Sequence, residues 1–295
     1  MKVTPLDQAV PGPRTVAVGT FDGVHTGHRA VIGQADTVLT FDPHPLEVLA
    51  PDRAPRLLTD TGRKAELLEG LGVEEMVVIP FDRRFASQSP QEFIDEILVG
   101  RLGASVVRVG ENFRFGKGAG GDATLLAGQP SFETAVVGLL ERDGRVVSSS
   151  WIRDLVAEGD VDSANDLLES RFEIAGTVTR GEQRGTGLGY PTANIEPDPR
   201  RSLPAYGVYS AMAVLDDGSE IPAAVSIGTR PTFETELGEL IEAHLIDFDQ
   251  DLYGARLRLR FHSRLRPELA FDDADALIEQ MARDVEDARN LLAGG

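Results

Sequence analysis

The sequence predicts an open, parallel α/β sheet followed by a closed antiparallel β-barrel and a terminal helix. Three observations carry this. Through residue 168, short apolar runs alternate with helical stretches. Near residues 169–172 the helical periodicity gives way to short alternating strands separated by turns. From residue 272 onward apolar side chains return at spacings of three and four. The first pattern is that of βα units, the second that of a barrel, and the third that of an amphipathic helix.

With 295 residues, 41% of them hydrophobic, the chain can form two domains, each with its own core. The division expected is residues 1–168 and 169–295. A net charge of −19 repels nucleic acid and anionic membranes, so neither is expected as a partner. A small nucleotide accompanied by a divalent cation is compatible with that field. The absence of cysteine excludes disulfides, thiolate metal sites and a Cys nucleophile. No apolar run is long enough to cross a bilayer, and the first residues, MKVTPLDQAVPGP, lack an apolar secretory core. A cytoplasmic protein is therefore expected.

In chain order, Thr15-Val16-Ala17-Val18 is an apolar, β-branched run suited to a buried strand. It opens into a turn carrying Gly19, Phe21, Asp22, Gly23, His25, Gly27 and His28. A strand, a glycine-punctuated turn and a helix start form the anatomy of a phosphate site. Glycine lets backbone N–H groups approach an anion, and the helix terminus adds a favourable dipole. A helix beginning near Thr26 places His25 and His28 at that mouth. The stretch is neither GxGxxG nor GxxxxGK[ST], which disfavours a dinucleotide or P-loop site.

After a short helix, Thr37–Phe41 is a second strand, ending in Asp42-Pro43-His44-Pro45. On the residues alone this is equally well a Pro-rich turn with an incidental histidine. Thr59 or Asp60 caps a helix running through Leu71. Met76–Ile79 is a third strand, followed by Phe81-Asp82 and Phe85-Ala86. Ser89-Pro90 starts a helix with Phe93, Ile94, Ile97 and Leu98 as its apolar stripe. Val106–Val109, the fourth strand, empties into GENFRFGKG. There Phe113 and Phe115 offer apolar surface for a ring, Asn112 an amide, and Arg114 and Lys117 positive charge for phosphate. In an open parallel sheet the ligand lies beyond the carboxyl ends of the strands, where all these loops sit. Ser148-Ser149-Ser150 then opens a helix with Arg153 one turn in, a phosphate site or a plain serine cap beside a solvated arginine.

A polar helix, Val161–Ser170, precedes the barrel. Its strands are expected at Glu173–Thr179, Val208–Leu215, Ile221–Ile227, Ile241–Ile246 and Leu257–Phe261. Between the first two lies GEQRGTGLGYPTAN, whose glycines Gly181, Gly185, Gly187 and Gly189 can wrap phosphates with backbone amides. Its Thr192 hydroxyl and Asn194 carbonyl are hard oxygen donors suited to Mg²⁺. In Ile241–Ile246, Glu242, His244 and Ile246 share one face, a pattern that on its own suits a surface glutamate. LRPELAF, with Arg266, reads as a charged turn. Leu277, Met281, Val285, Ala288 and Leu292 form a stripe that packs the last helix on the barrel.

The chain resembles the bifunctional riboflavin kinase/FAD synthetases along nearly its whole length. GTFDGVHTGH is similar to their HxGH motif, TFDPHP to their second motif, FDRRFA to FDxxFA, GENFRFG to GxNFxFG, and SSSWIR to SSTxIR with Ser150 in place of Thr. In the second half GYPTAN, LPAYGVY, SIGTRPTF, IEAHLIDF and LRPELAF resemble the kinase motifs in the family's order. The resemblance implies a Rossmann-like nucleotidyltransferase domain and a riboflavin kinase-like barrel. It implies phosphorylation of riboflavin to FMN by ATP, then adenylylation of FMN to FAD with release of pyrophosphate. Mg²⁺ would serve both steps.

By the same resemblance Glu242 is the base of the kinase step, with Thr192 and Asn194 on the metal. His25, His28 and Arg153 stabilise the charge of adenylyl transfer. Gly19, Phe21, Asp22, Gly23, Asn112, Arg114 and Ser149, with Gly181, Arg184, Gly187 and Gly189, bind the nucleotide or its phosphates. Phe113, Phe115 and Arg266 face flavin. The segment from His28 to Thr40 is about three helical turns shorter than is usual in the family. Three other readings stay open at this point: a riboflavin kinase with a decayed first domain, a nucleotidyltransferase acting on a different phosphate substrate, and a flavin-binding protein without turnover.

Overall fold

The computed structural model describes residues 1–180, 190–229, 239–271 and 273–293. By internal contacts it forms two compact units, Met1–Ser149 and Ser150–Gly295.

The first unit is built on six parallel strands: β1 (Lys2–Pro5), β2 (Arg14–Val18), β3 (Thr37–Asp42), β4 (Glu75–Pro80), β5 (Ala104–Gly110) and β6 (Glu133–Val137). Their order is β1-β4-β3-β2-β5-β6, and every pair is parallel. The four strands expected are the four in the middle. The two edges were illegible because Lys2–Pro5 buries only Thr4 and Glu133–Val137 buries nothing fully, so neither offers an apolar run.

Five helical segments join the strands: α1 (Thr26–Ile32), α2 (Pro45–Leu49), α3 (Thr61–Glu69), α4 (Pro90–Glu92, continuing as a π-helix over Phe93–Arg101) and α5 (Ala123–Ala127). Alternate residues of each strand feed opposite faces of the sheet, as both faces are covered. Val16, Val18, Leu39 and Val107 pack with Phe93, Ile94 and Leu98 of α4 on one face. Ala17, Val38 and Met76 pack with Ile32 of α1 and Leu68 of α3 on the other.

Asp60 caps α3, one of the two caps expected, but the helix ends at Glu69 with Gly70 as its C-cap rather than running through Leu71. Asp42-Pro43 is a cis peptide, and the expected Pro-rich turn leads into α2. There His44 and Glu47 form a reciprocal capping box, with Pro45 in the first turn.

The second unit opens within α6 (Ser149–Glu158), all of which but Ser149 belongs to it, and continues with α7 (Val161–Leu168). The segment read as polar is amphipathic: Val161, Ala164, Leu167 and Leu168 are buried. Asn165, also buried, donates to the carbonyl of Phe261 (3.0 Å) and accepts from the N–H of Phe172 (2.7 Å). The closed barrel comprises β7 (Glu173–Thr179), β8 (Ala193–Pro197), β9 (Gly207–Val214), β10 (Glu220–Thr229), β11 (Glu239–Leu245) and β12 (Arg256–Pro267), ordered β7-β8-β11-β10-β9-β12. Strand β8 was not foreseen, because only Asn194 and Ile195 of its five residues are buried. Strand β12 runs six residues beyond Phe261, where its inward-facing apolar alternation stops. Helix α8 (Ala274–Ala293) lays Val285, Ala288 and Leu292 against Ala224, Ile246 and Leu265, the packing its stripe predicted.

Candidate active sites

In the first unit the strand order reverses between β2 and β5, each of which has neighbours reached in opposite chain directions. Ligands bind at such switch points, beyond the carboxyl ends. A cavity of about 640 Å³ lies there. The turn after β2 (Gly19, Phe21), helix α1 (His28), the turn after β3 (His44, Pro45) and the loop after β5 (Asn112, Phe113, Arg114, Phe115) all line it. Motifs far apart in the sequence therefore share one wall.

The wall is largely aromatic. Phe113 and Phe115 stack 5.5 Å apart and 15° from parallel. Phe93, Phe85, Phe81 and Phe41 continue the chain of ring contacts at 5.3–6.3 Å. Phe41 and Phe93 join the expected aromatic residues because the strand end and the start of α4 both face the cavity. Ring-lined clefts of this size hold planar heteroaromatic ligands. Arg114 is exposed at the rim, its guanidinium bonded to the neighbouring Phe113 carbonyl (3.0 Å).

The HxGH turn is held tightly. Phe21 takes φ +48°, and its ring lies so close to Gly19 that a Cβ there would stand 3.0–3.2 Å from it. His25 is the N-cap of α1: its Nδ1 accepts from the N–H of His28 (3.3 Å). The two imidazoles stack at 3.6 Å, and Phe21 meets His28 edge to face at 5.3 Å. Burial first, then the neighbouring His25 and Lys64, hold the His28 pKa well below its ordinary value. His28 is thus a neutral hydrogen-bonding group. Its Nδ1 is buried without a partner among the described residues.

Three residues expected on phosphate build the turn through bonds of their own. The Asp22 carboxylate is buried and accepts from the N–H groups of Leu58 (2.9 Å) and Thr59 (3.1 Å). The Gly23 N–H donates to Thr59 Oγ1 (3.1 Å), so it does not point at an anion. The Ser149 hydroxyl donates to the Asp22 carbonyl (2.9 Å). Arg153 lies in the second unit, one turn into α6, with Nη2 on Ser150 Oγ (3.2 Å).

Helix α1 is as short as the sequence suggested. Gly33 ends it at φ +48°, and Arg108, from β5, donates to the carbonyls of Val31 (2.8 Å) and Ala30 (3.2 Å). These bonds satisfy acceptors that a longer helix would satisfy itself. The short helix thus keeps its histidine-bearing end in place.

In the barrel, the register sets one row of side chains across all six strands. Thr179, Asn194, Glu242, Ser226, Val208 and Arg266 are successive cross-strand partners. Their neighbours Val178, Ile195, Ile241 and Ile227 are buried in the interior, so the row lies on the outer face. Asn194 is buried, and Glu242 stands half-buried between it and Ser226. His244 is on the same face as Glu242, its Nδ1 2.9 Å from the Pro191 carbonyl and its ring 5.4 Å from Tyr190. Ile246 lies past the strand end, packed with α8. Arg266, at the far end of the row, is paired with Asp284 of α8 (2.8–3.1 Å). Gly181, Arg184, Gly187 and Gly189 lie outside the described residues.

Thr192 and Asn194 supply neutral hard oxygens, and no cluster of three His, Asp or Glu among the described residues offers an alternative. That donor set fits Mg²⁺, which usually takes few protein ligands and the rest from phosphate and water.

Comparison with known proteins agrees with both halves. Residues 7–151 match the FAD synthetase family and residues 168–292 the riboflavin kinase family. The bifunctional riboflavin kinase/FMN adenylyltransferase of Escherichia coli K12 is 37% identical, with 97% of this chain and 95% of that protein covered. The Bacillus subtilis protein of the same description is 38% identical over 92% and 90%. A solved Streptococcus pneumoniae chain, described as a macrolide-efflux protein, superposes with a TM-score of 0.88 at 29% identity, covering 98% and 99%. No described helix here is long and apolar enough to cross a membrane. With both domain models matched in order and relatives aligned end to end, the chain belongs to the bifunctional riboflavin kinase/FMN adenylyltransferase family.

Proposed function

We propose that this chain makes FAD in two ATP-dependent transfers, each in its own unit. The observation that carries the reading is convergence. The loops after β2, β3 and β5 meet at one aromatic cavity, and Asn194, Glu242 and Ser226 are neighbours in one barrel row.

In the barrel, the terminal hydroxyl of riboflavin attacks the γ-phosphorus of ATP. A new O–P bond forms, the β–γ bridge breaks, and ADP leaves. The alcohol is a weak acid, and Glu242 accepts its proton. Asn194 and Thr192 would hold Mg²⁺, which supplies charge neutralisation to the transferring group. Arg266 lies at the flavin end of the row.

In the first unit, an oxygen of the FMN phosphate attacks the α-phosphorus of ATP and pyrophosphate leaves. The nucleophile is already anionic, so no base is needed. The barrier is the approach of two anions, and His25 and His28 meet that charge as hydrogen-bond donors. The neutral state of His28 supports this role over proton transfer. Phe113 and Phe115 pack against the isoalloxazine ring, and Asn112 and Arg114 stand at the nucleotide. We place the enzyme in the cytoplasm, where ATP is made available.

Complementary variants test the assignment. Glu242→Gln is expected to lose FMN formation from riboflavin while still converting supplied FMN to FAD. His28→Asn is expected to do the reverse and accumulate FMN. Loss of both activities in either variant would contradict separate sites.

A further inference from the structure

Helix α3 sends one cation beneath the adenylyl-transfer site. Lys64, one of three lysines in the chain, is only 9% exposed. A buried ammonium is costly unless acceptors meet it, so what it touches is informative. Its Nζ donates to the carbonyl oxygen of Thr20 (2.7 Å) and lies 3.4 Å from Thr40 Oγ1. The Thr40 hydroxyl donates to that same Thr20 carbonyl (3.1 Å). The three groups form a closed triangle at the carboxyl ends of β2 and β3.

Thr20 is followed by Phe21, whose φ of +48° is rare for an aromatic residue and must be imposed by its surroundings. The Phe21 ring is the edge-to-face partner of His28. The other side of the turn is held by Asp22 on the N–H groups of Leu58 and Thr59. Lys64 therefore reaches His28 through two residues. Its charge also acts on that imidazole, as does His25, the other titratable group facing it.

We propose that Lys64 is a positioning residue for adenylyl transfer, holding through Thr20 and Thr40 the strained turn that aims His28 into the cavity. The proposal rests on reading this cavity as the FMN adenylyltransferase site.

The test compares full-length wild type, Lys64→Met and Thr40→Val. FAD formation from FMN is resolved into kcat and KM, FMN formation from riboflavin is measured in the same preparations, and the His28 ring is titrated by NMR. In Lys64→Met, kcat for FAD formation is expected to fall by about 10²-fold, as a misplaced catalytic group costs, with KM for FMN unchanged. FMN formation should persist, and His28 should titrate closer to its ordinary value. Thr40→Val, which keeps the charge, should lower kcat without moving that titration. Wild-type kcat in Lys64→Met overturns the proposal, as does an unmoved His28 titration. Should Lys64→Met fail to fold, Thr40→Val decides alone, and wild-type kcat in it is the contrary result. A wild-type protein that makes no FAD removes the site reading itself, which these variants cannot do.

Discussion

The imidazoles of His25 and His28 lie stacked, 3.6 Å between centroids and 20° from parallel, while the His28 N–H donates to His25 Nδ1. One ring caps the helix that carries the other. Two imidazolium charges at that separation would repel, and the neighbouring His25 is one of the causes that hold the His28 pKa down.

A pH dependence follows. The native pKa of His28 is lowered, whereas the unfolded chain has the ordinary value near 6.5. Below about pH 6.5 the unfolded state binds a proton that the native state does not, so this contribution to stability is present above that pH and lost as pH falls. The slope is at most about 1.4 kcal/mol per pH unit for one proton. His28→Asn should lose stability less steeply than wild type between about pH 7 and 5, measured by urea unfolding. Parallel curves would contradict a neutral native His28.

Glu242 stands between Asn194 and Ser226 in the barrel row. If it takes the proton of the attacking alcohol, Glu242→Gln should lower kcat for FMN formation by about 10²–10⁴-fold, with little change in thermal stability. Steady-state kinetics of riboflavin phosphorylation measures this, and a drop below tenfold would argue against a base.

Arg108 closes the short helix α1 on the carbonyls of Ala30 and Val31. Arg108→Met leaves those acceptors unmet and should cost about 1.5–3 kcal/mol, the range for hydrogen bonds from a charged donor. FAD formation should fall with it, since α1 carries both histidines, while FMN formation stays. Gly33→Ala should act in the same direction, because φ +48° disfavours a side chain and the Arg108 guanidinium occupies the space.

Arg266 and Asp284 form a bidentate pair joining the row to α8, and Asp284 is buried. Asp284→Ala strands a guanidinium that is only 15% exposed. The expected cost is about 3–5 kcal/mol in chemical unfolding. KM for riboflavin should rise, as Arg266 loses its fixed position.

Much of this was legible in the sequence. The strand runs beside HxGH and GENFRFG read correctly because each carries a run of buried or half-buried apolar residues, Val16–Val18 and Val106-Val107 with Val109, in strands that are central. Edge strands such as Lys2–Pro5 leave no such trace. The motif residues were readable as a set, but their division of labour was not. Asp22 and Gly23 look like phosphate ligands in one dimension, and only the fold shows Thr59 and Leu58 arriving to bond them. Lys64 and Arg108 had no local signal, because each acts on a carbonyl more than forty residues away in sequence. The pairing of Glu242 with Asn194 depends on barrel register, and β8, with only Asn194 and Ile195 buried, leaves no apolar alternation from which to read it.

One chain performs both transfers with an α1 of only seven residues. The most direct measurement is a time course with riboflavin, ATP and Mg²⁺, resolving riboflavin, FMN and FAD, repeated from FMN. The account predicts FMN first and FAD after it, and FAD directly from supplied FMN. Accumulation of FMN, with no FAD from either start, would contradict it.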